Sequence, residues 1–200
     1  MKEIRQSDDG VYTFWNDDKQ LLTPRGLACS TKSRKLADRI LSDWIRHGES
    51  FSGASALPWQ FTYQDNFLPL GEEGVRNAMI ESFITPNDWT LCCNPPSPKA
   101  YMHFRAWFGS PDSRLDELQR WLGGLNLNQL TAACCVGNAF ESLNVAYVLS
   151  LIHQQFKEEE KKIAAVKEVG QIVRKFLGVG ISVKRVFSLF EMYWEGNVAE

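Results

Sequence analysis

Residues 12–49 read YTFWNDDKQLLTPRGLACSTKSRKLADRILSDWIRHGE, and they carry the clearest fold signal in the chain. The pattern predicts a short hairpin, with strands at residues 12–15 and 20–22 joined by a polar turn at residues 16–19. The sequence TPRG at residues 23–26 marks a second turn, because proline presets φ and glycine tolerates positive φ. The stretch therefore predicts that the chain opens with β structure.

A helix is predicted directly after this turn. Ser30 or Thr31 is suited to cap its N-terminus, and Gly48 is suited to end it. Its apolar residues recur at intervals of three and four and therefore share one face: Leu36, Ala37, Ile40, Leu41, Trp44 and Ile45. We expect Trp44 to lie in the core as a structural anchor between elements.

Three further strands are predicted from aromatic and β-branched residues, at positions 59–63, 89–93 and 101–108. A helix beginning near Gly71 lies between the first two, and prolines at 95, 96 and 98 separate the last two. We predict an α+β protein, with a β-rich N-terminal lobe that also contains helices at residues 1–109 and an all-helical C-terminal lobe at residues 110–200.

The C-terminal half contains a long apolar run, which predicts one buried helix over residues 127–152. Asn126 and Gln129 have the spacing of a capping box at its start. Asn138, Glu141 and Asn144 follow each other at intervals of three and therefore lie on one face of this helix. A buried polar group needs a hydrogen-bond partner, so we predict that these three residues form a polar network or line a groove.

The composition argues against two classes of partner. The chain has 200 residues and a formal net charge of −2, whereas nucleic-acid binders usually carry a basic excess. Asp38 and Asp43 interrupt the basic residues near the first predicted helix, which is typical of a solvated face. The long apolar run contains several polar residues, which favours a core helix over membrane insertion. We therefore expect no nucleic-acid partner and no membrane insertion. We also expect the protein to be a monomer.

The five cysteines indicate a reducing compartment. Cys92 and Cys93, like Cys134 and Cys135, are adjacent in sequence, and neighbouring cysteines do not easily bridge each other. We expect a cytoplasmic protein if the source is bacterial, or a mitochondrial matrix protein if it is eukaryotic, although residues 1–9 are too acidic for a transit peptide.

Motifs for enzymatic chemistry are sparse. His47, His103 and His153 lack metal-ligand spacing. The segment GLACSTK at residues 26–32 lacks the second glycine of a phosphate-binding loop, and GVG at residues 178–180 lacks the third glycine of the dinucleotide pattern. We therefore expect no metal, no cofactor and no enzymatic activity. The alternative is a small cytoplasmic thiol enzyme that uses Cys29 with His47, since a helix N-terminus can lower the pKa of a thiol. A further alternative is an unrelated protein-binding adaptor that uses the aromatic C-terminal tail.

Several of these features together resemble the ATP12 family of F1-ATPase assembly chaperones. The family shows an aromatic strand, a turn with a basic residue, Thr-Pro-x-Gly, a Ser/Thr-started helix and an acidic residue before tryptophan. Here these features are the strand at 12–15, the turn at 16–19, TPRG at 23–26, the helix start at 30–31, and Asp43 with Trp44.

Later segments extend the resemblance. Residues 88–93 look like a family strand with a leading aspartate, and residues 125–152 look like the long helix that opens the helical lobe of the family. The tail at 189–196 is similar to the family ending, although it lacks the glutamine of that motif.

The resemblance implies a function. The chain would bind an unassembled F1-ATPase α subunit, shield its subunit interface until the F1 hexamer forms, and hydrolyse no ATP. It also implies a client-binding patch at Glu191, Tyr193 and Trp194.

Overall fold

The computed structural model describes residues 1–48, 54–85, 87–93, 95, 97–178 and 180–196. A small antiparallel sheet opens the chain, and its central strand is β2. Strand β2 pairs with β1 along one edge and with β3 and β4 along the other. The strand bounds are β1 Lys2–Gln6, β2 Tyr12–Asn16, β3 Lys19–Gln20 and β4 Ser30–Thr31.

The predicted hairpin is present, with a shorter turn at residues 17–18 and a second strand that ends at Gln20 instead of residue 22. Strands β2 and β3 pair through Trp15 and Gln20, and Asp17 takes a left-handed conformation with φ of 54° in the turn. The TPRG turn is also present, because the Gly26 amide donates to the Thr23 carbonyl over 2.8 Å. Gly26 has φ of 82°, which a residue with a Cβ rarely adopts. Phe14 is fully buried and fixes the inner face of the sheet.

The first helix, α1 (Arg34–His47), begins three residues later than predicted. Ser30 and Thr31 belong to β4, so Ser33 caps the helix instead by accepting a hydrogen bond from the Leu36 amide. Gly48 ends the helix with φ of 59°, as predicted. Most of the predicted apolar face is buried, but Ile45 is 60% exposed. Of the stretch at residues 12–49, Glu49 lies outside the described residues.

The three strands predicted at 59–63, 89–93 and 101–108 are wrong, because these residues are helical. In the last segment, Phe104 and Phe108 are buried while Ala106 between them is exposed, which fits a helix face, because a strand would place all three residues on one face. Tertiary packing thus overrides the β propensity of the aromatic residues. The helices here are α2 Ala56–Phe61, a π-helix at Thr62–Phe67, α3 Leu68–Phe83, α4 Trp89–Cys92 and α5 Pro98–Phe108.

The long helix predicted at 127–152 is two helices. The capping box of Asn126 and Gln129 is present, but the first helix ends at Glu141, which has φ of 51°. Ser142 then caps a new helix by accepting from the Val145 amide. Ser182 caps the last helix by accepting from the Arg185 amide. The C-terminal helices are α6 Pro111–Gly123, α7 Leu127–Phe140, α8 Leu143–Gln155, α9 Glu159–Leu177 and α10 Val183–Trp194.

Helix α7 lies at the centre of the fold. It packs against α8 and α10, which follow it in the chain, and against α3 and the π-helix, which precede it. Buried residues from before and after position 109 belong to one apolar cluster. The α+β class is confirmed, and the boundary at 109/110 stays a prediction. No helix in the described ranges has both the length and the apolar character needed to cross a bilayer.

Candidate functional site

The predicted client patch lies on α10, and its three residues differ in exposure. Tyr193 is fully buried and Trp194 is 7% exposed, whereas the side chain of Glu191 is 22% exposed. Trp194 stacks on Trp121 with ring centroids 6.0 Å apart. Glu191 is therefore the surface member of this set, while the two aromatic residues lie beneath the surface.

Tyr193 ends a chain of hydrogen bonds that crosses the molecule. Its hydroxyl donates to Gln60 Oε1 over 2.8 Å, and Gln60 Nε2 donates to the Ser30 carbonyl over 2.6 Å. Gln64 accepts from the Ser30 amide and donates to the Ala28 carbonyl, each over 3.1 Å. The last helix, the α2/π-helix segment and strand β4 are thus tied together.

The π-helix also holds the TPRG turn. The Arg25 amide donates to Asp65 Oδ2 over 3.1 Å, and the carboxylate is 3% exposed. Gln60, Gln64 and Asp65 were not predicted as functional residues. The four-residue spacing of the two glutamines places them on one face of a helix, but the strand prediction at 59–63 concealed this signal because that strand ends before Gln64.

Glu191 belongs to a partly buried charge cluster. Its Oε1 atom accepts from Lys162 Nζ over 2.9 Å and lies 3.1 Å from His153 Nδ1. This hydrogen bond raises the pKa of Lys162. Potential metal-ligating atoms of His153, Glu191 and Glu195 lie within 4.8 Å of one another. Because the Lys162 ammonium already neutralises Glu191, a cation would have to displace it, and the expectation of no metal stays a prediction.

The predicted polar set of α7 is divided by the helix end at Glu141. Asn144, on α8, is fully buried, and its Nδ2 donates to Thr90 Oγ1 and to the Phe108 carbonyl, each over 2.9 Å. Thr90 Oγ1 donates to Asp88 Oδ1 over 2.6 Å. These bonds form a buried network that joins α4, α5 and α8.

Asn138 and Glu141 instead face the surface and line a groove. One depression of about 290 Å³ lies between the end of α3 and the end of α7, and Asp88 and Glu141 are the acidic residues among its described lining residues. A second depression of about 330 Å³ has an apolar lining that includes Trp59 and Ile181. Asn138 lines both depressions, so they are adjacent along α7. We call this pair the α7 groove.

The fold resembles that of two solved structures along nearly the whole chain. One is the Atu1473 protein of Agrobacterium tumefaciens, regarded as a candidate chaperone, with a TM-score of 0.56, 13% identity, and coverage of 95% of this chain and 83% of that one. The other is Atp12 of Paracoccus denitrificans, with a TM-score of 0.52, 15% identity, and coverage of 97% and 94%. This chain has the Atp12 fold. No protein-family model and no curated sequence matches it.

Within the Atp12 fold, the Asp43–Trp44 pair lies inside the N-terminal half. Trp44 is 6% exposed, and the Lys2 ammonium lies 4.7 Å from its ring centroid. Asp43 Oδ2 accepts from Arg39 Nε and from the Ala56 amide, each over 3.0 Å. The pair therefore connects α1 both to β1 and to the start of α2.

Cys29 lies in a poor environment for a nucleophile. Its side chain is fully buried, and burial together with the nearby Asp65 carboxylate raises the pKa of its thiol far above the usual value. The buried Nε2 atom of His47 has no hydrogen-bond partner within the described ranges, so no hydrogen bond joins this atom to the thiol. A catalytic thiol needs access and a thiolate, and Cys29 has neither here.

Proposed function

We propose that this protein is an assembly chaperone that binds an unassembled F1-ATPase α subunit and shields its subunit interface until the F1 hexamer forms. The observation that carries the proposal is the match to the Atp12 fold over 97% of the chain. The signals in residues 12–49 support it independently, because they resemble the ATP12 family at the level of sequence.

The proposed mechanism is shielding without turnover. An unassembled subunit exposes a large apolar interface that is prone to aggregate, and a partner that covers it keeps it competent for assembly. The chaperone must later leave, so its contact with the client must be reversible. The buried, high-pKa thiol of Cys29 also favours a binding role over the thiol-enzyme alternative.

We propose that Glu191 is the client-facing member of the predicted patch. Its partial exposure and its two polar neighbours, the Lys162 ammonium and the His153 imidazole, support a polar rim contact. Tyr193 and Trp194 would then support the patch from below. The free cysteines are consistent with work in a reducing compartment, for which the cytoplasm and the mitochondrial matrix remain our expectations.

The test uses purified F1 α subunit diluted from denaturant, with aggregation followed by light scattering. We expect an equimolar amount of this protein to suppress aggregation, and size-exclusion chromatography with mass determination to show a 1:1 complex. The F1 β subunit serves as the comparison client and should aggregate at its usual rate. Undiminished aggregation of the α subunit, with no complex, would exclude the proposed client.

A matched pair of variants tests the patch. Glu191→Gln keeps the size of the side chain but removes its charge, whereas Glu160→Gln makes the same change at an exposed position of α9. We expect the first variant to bind the α subunit two- to fivefold more weakly, at about the scale of a rim charge, and the second to bind like wild type. Equal binding by both would remove Glu191 from the contact.

A further inference from the structure

We propose that the α7 groove binds an extended peptide segment of the client, with an apolar side chain at one end and a lysine or arginine at the other. This inference rests on the proposed function, because a chaperone that holds an unassembled subunit needs a surface for an exposed segment of it. The groove differs from the Glu191 patch, and none of its lining residues belongs to that patch.

The apolar end has the character of a side-chain pocket. Its floor includes Trp59, which is 2% exposed, and Cys135, which is 8% exposed, so the surface below an incoming side chain is already packed. Pro58 and Ile181 close the sides and are partly exposed. A leucine-sized group placed here would bury its surface against fixed neighbours without first rearranging the core.

The opposite end is acidic. Asp88 and Glu141 are the charged residues among the described lining residues of this depression, and both are negative. Asp88 is 5% exposed, and its Oδ1 atom accepts from the Thr90 amide over 2.8 Å and from the Thr90 hydroxyl over 2.6 Å, whereas Glu141 is exposed. Glu141 is therefore the carboxylate that a ligand would contact, and a lining that is acidic and has no basic residue among its described members favours a cationic ligand group.

Gly137 lines the acidic depression. A Cβ atom at this position would lie 3.2 Å from Cε1 of Phe83, a contact so tight that Phe83 would have to shift by a few tenths of an ångström. Glycine therefore lets α3 and α7 approach closely, and Phe83 forms an apolar wall next to the acidic end. The groove is thus built into the packing of two helices.

An extended peptide would reach both ends. The two depressions share Asn138 in their lining, so they lie next to each other. An extended chain advances about 3.4 Å per residue, so side chains three residues apart are separated by about 10 Å. An extended segment with an apolar and a basic residue at about that spacing would place one side chain in each depression.

The experiment uses the full chain and a fluorescent peptide of about ten residues, in which leucine and arginine are three positions apart in a Gly/Ser background. Binding is followed by fluorescence anisotropy at low salt. Two further peptides replace the arginine by glutamate or the leucine by serine. We expect the first peptide to bind, and each replacement to weaken binding by about fivefold or more. Equal binding of all three peptides would overturn the proposal.

Variants of the protein locate the binding site. Glu141→Gln should weaken peptide binding by about two- to fivefold, and Ala139→Arg should weaken it by about tenfold by filling the apolar end. Glu160→Gln is the matched control and should bind like wild type. Circular dichroism and thermal unfolding verify that each variant is folded. If both groove variants bind like wild type, or if the groove instead mediates self-association by sedimentation, the proposal is wrong.

The two proposals fail separately. If wild type protects the F1 α subunit and the folded groove variants protect it equally well, the groove is not the client site and the proposed function stands. If the peptide binds in a Glu141-dependent way but the α subunit is neither bound nor protected, the peptide site stands and the proposed client is wrong.

Discussion

The Tyr193 hydroxyl donates a hydrogen bond to Gln60 Oε1 over 2.8 Å, although the two residues are 133 positions apart in the chain. Gln60 passes the connection on to the Ser30 carbonyl in β4. The last helix is therefore joined to the N-terminal sheet by one buried glutamine. Any movement of α10 that breaks this bond leaves a buried polar atom without a partner, which is costly.

Tyr193→Phe tests this connection. The variant keeps the ring and its contact with Trp59, whose centroid lies 5.6 Å away, but it leaves Gln60 Oε1 without a donor. We expect the free energy of unfolding to fall by about 1–2 kcal/mol in urea titrations. Tyr101→Phe is the matched control, because Tyr101 is 39% exposed and should change stability by less than about 0.5 kcal/mol. Equal stability of the two variants would mean that the buried bond contributes nothing.

Trp44→Arg should be severely destabilising. The guanidinium would replace a ring that is 6% exposed, and it would lie next to the Lys2 ammonium that now contacts that ring. Loss of the buried ring and burial of a like charge together predict a loss of about 3 kcal/mol or more, measured by thermal unfolding.

The neighbouring residue provides the control for Trp44. Ile45→Arg introduces the same side chain one position later in α1, where the native residue is 60% exposed. We expect this variant to unfold at nearly the wild-type temperature. If Trp44→Arg also unfolds there, Trp44 does not anchor α1 in the core.

Stability should fall at alkaline pH because several buried groups resist ionisation. Burial raises the pKa of Cys134 from 9.0 to about 11, and it also raises the pKa values of Cys29, Cys135 and Tyr193. Above pH 9 the unfolded chain releases thiol protons that the folded chain retains. For Cys134 the stabilisation is complete below pH 9 and is lost as pH rises from 9 to about 11, at up to about 1.4 kcal/mol per pH unit.

Urea unfolding at several pH values in this window measures the effect. Cys134→Ala should reduce the slope of unfolding free energy against pH, since it removes one of the groups that titrate differently. Cys92→Ala should leave the slope unchanged, because Cys92 is exposed in the fold. A slope that is the same for wild type and Cys134→Ala would show that the Cys134 thiol does not titrate differently in the two states.

Local signals explain which elements were predictable. The hairpin, the TPRG turn and the Asn126–Gln129 capping box were predicted correctly, since each depends on residues close in sequence. The strands predicted at 59–63, 89–93 and 101–108 were wrong, because β propensity there is weaker than helical packing of rings such as Phe104 against Phe176, 5.2 Å away. That contact joins residues too distant in sequence for a local pattern to reveal.

The candidate site was predictable in part. The sequence pattern predicts that Asn138 and Glu141 lie on the same face, and both residues line the α7 groove. It also grouped Asn144 with them, but the helix ends at Glu141, and the turn there sends Asn144 into the core. Pairs such as Tyr193 with Gln60 depend on how distant helices pack, and single-sequence periodicity does not specify that packing.

Glu141 keeps a left-handed backbone conformation, with φ of 51°, that glycine adopts at lower cost. Glu141→Gly should therefore raise the free energy of unfolding by up to about 1 kcal/mol, measured in urea, whereas Glu141→Ala should give no gain because it retains a Cβ. Both variants remove the carboxylate from the α7 groove, so both should lose peptide affinity to the same extent. A stability gain that accompanies a binding loss would mean that the glutamate is retained for its charge at the expense of stability. Equal stability of the Gly and Ala variants would contradict the backbone part of this prediction, and unchanged peptide affinity in both would contradict the binding part.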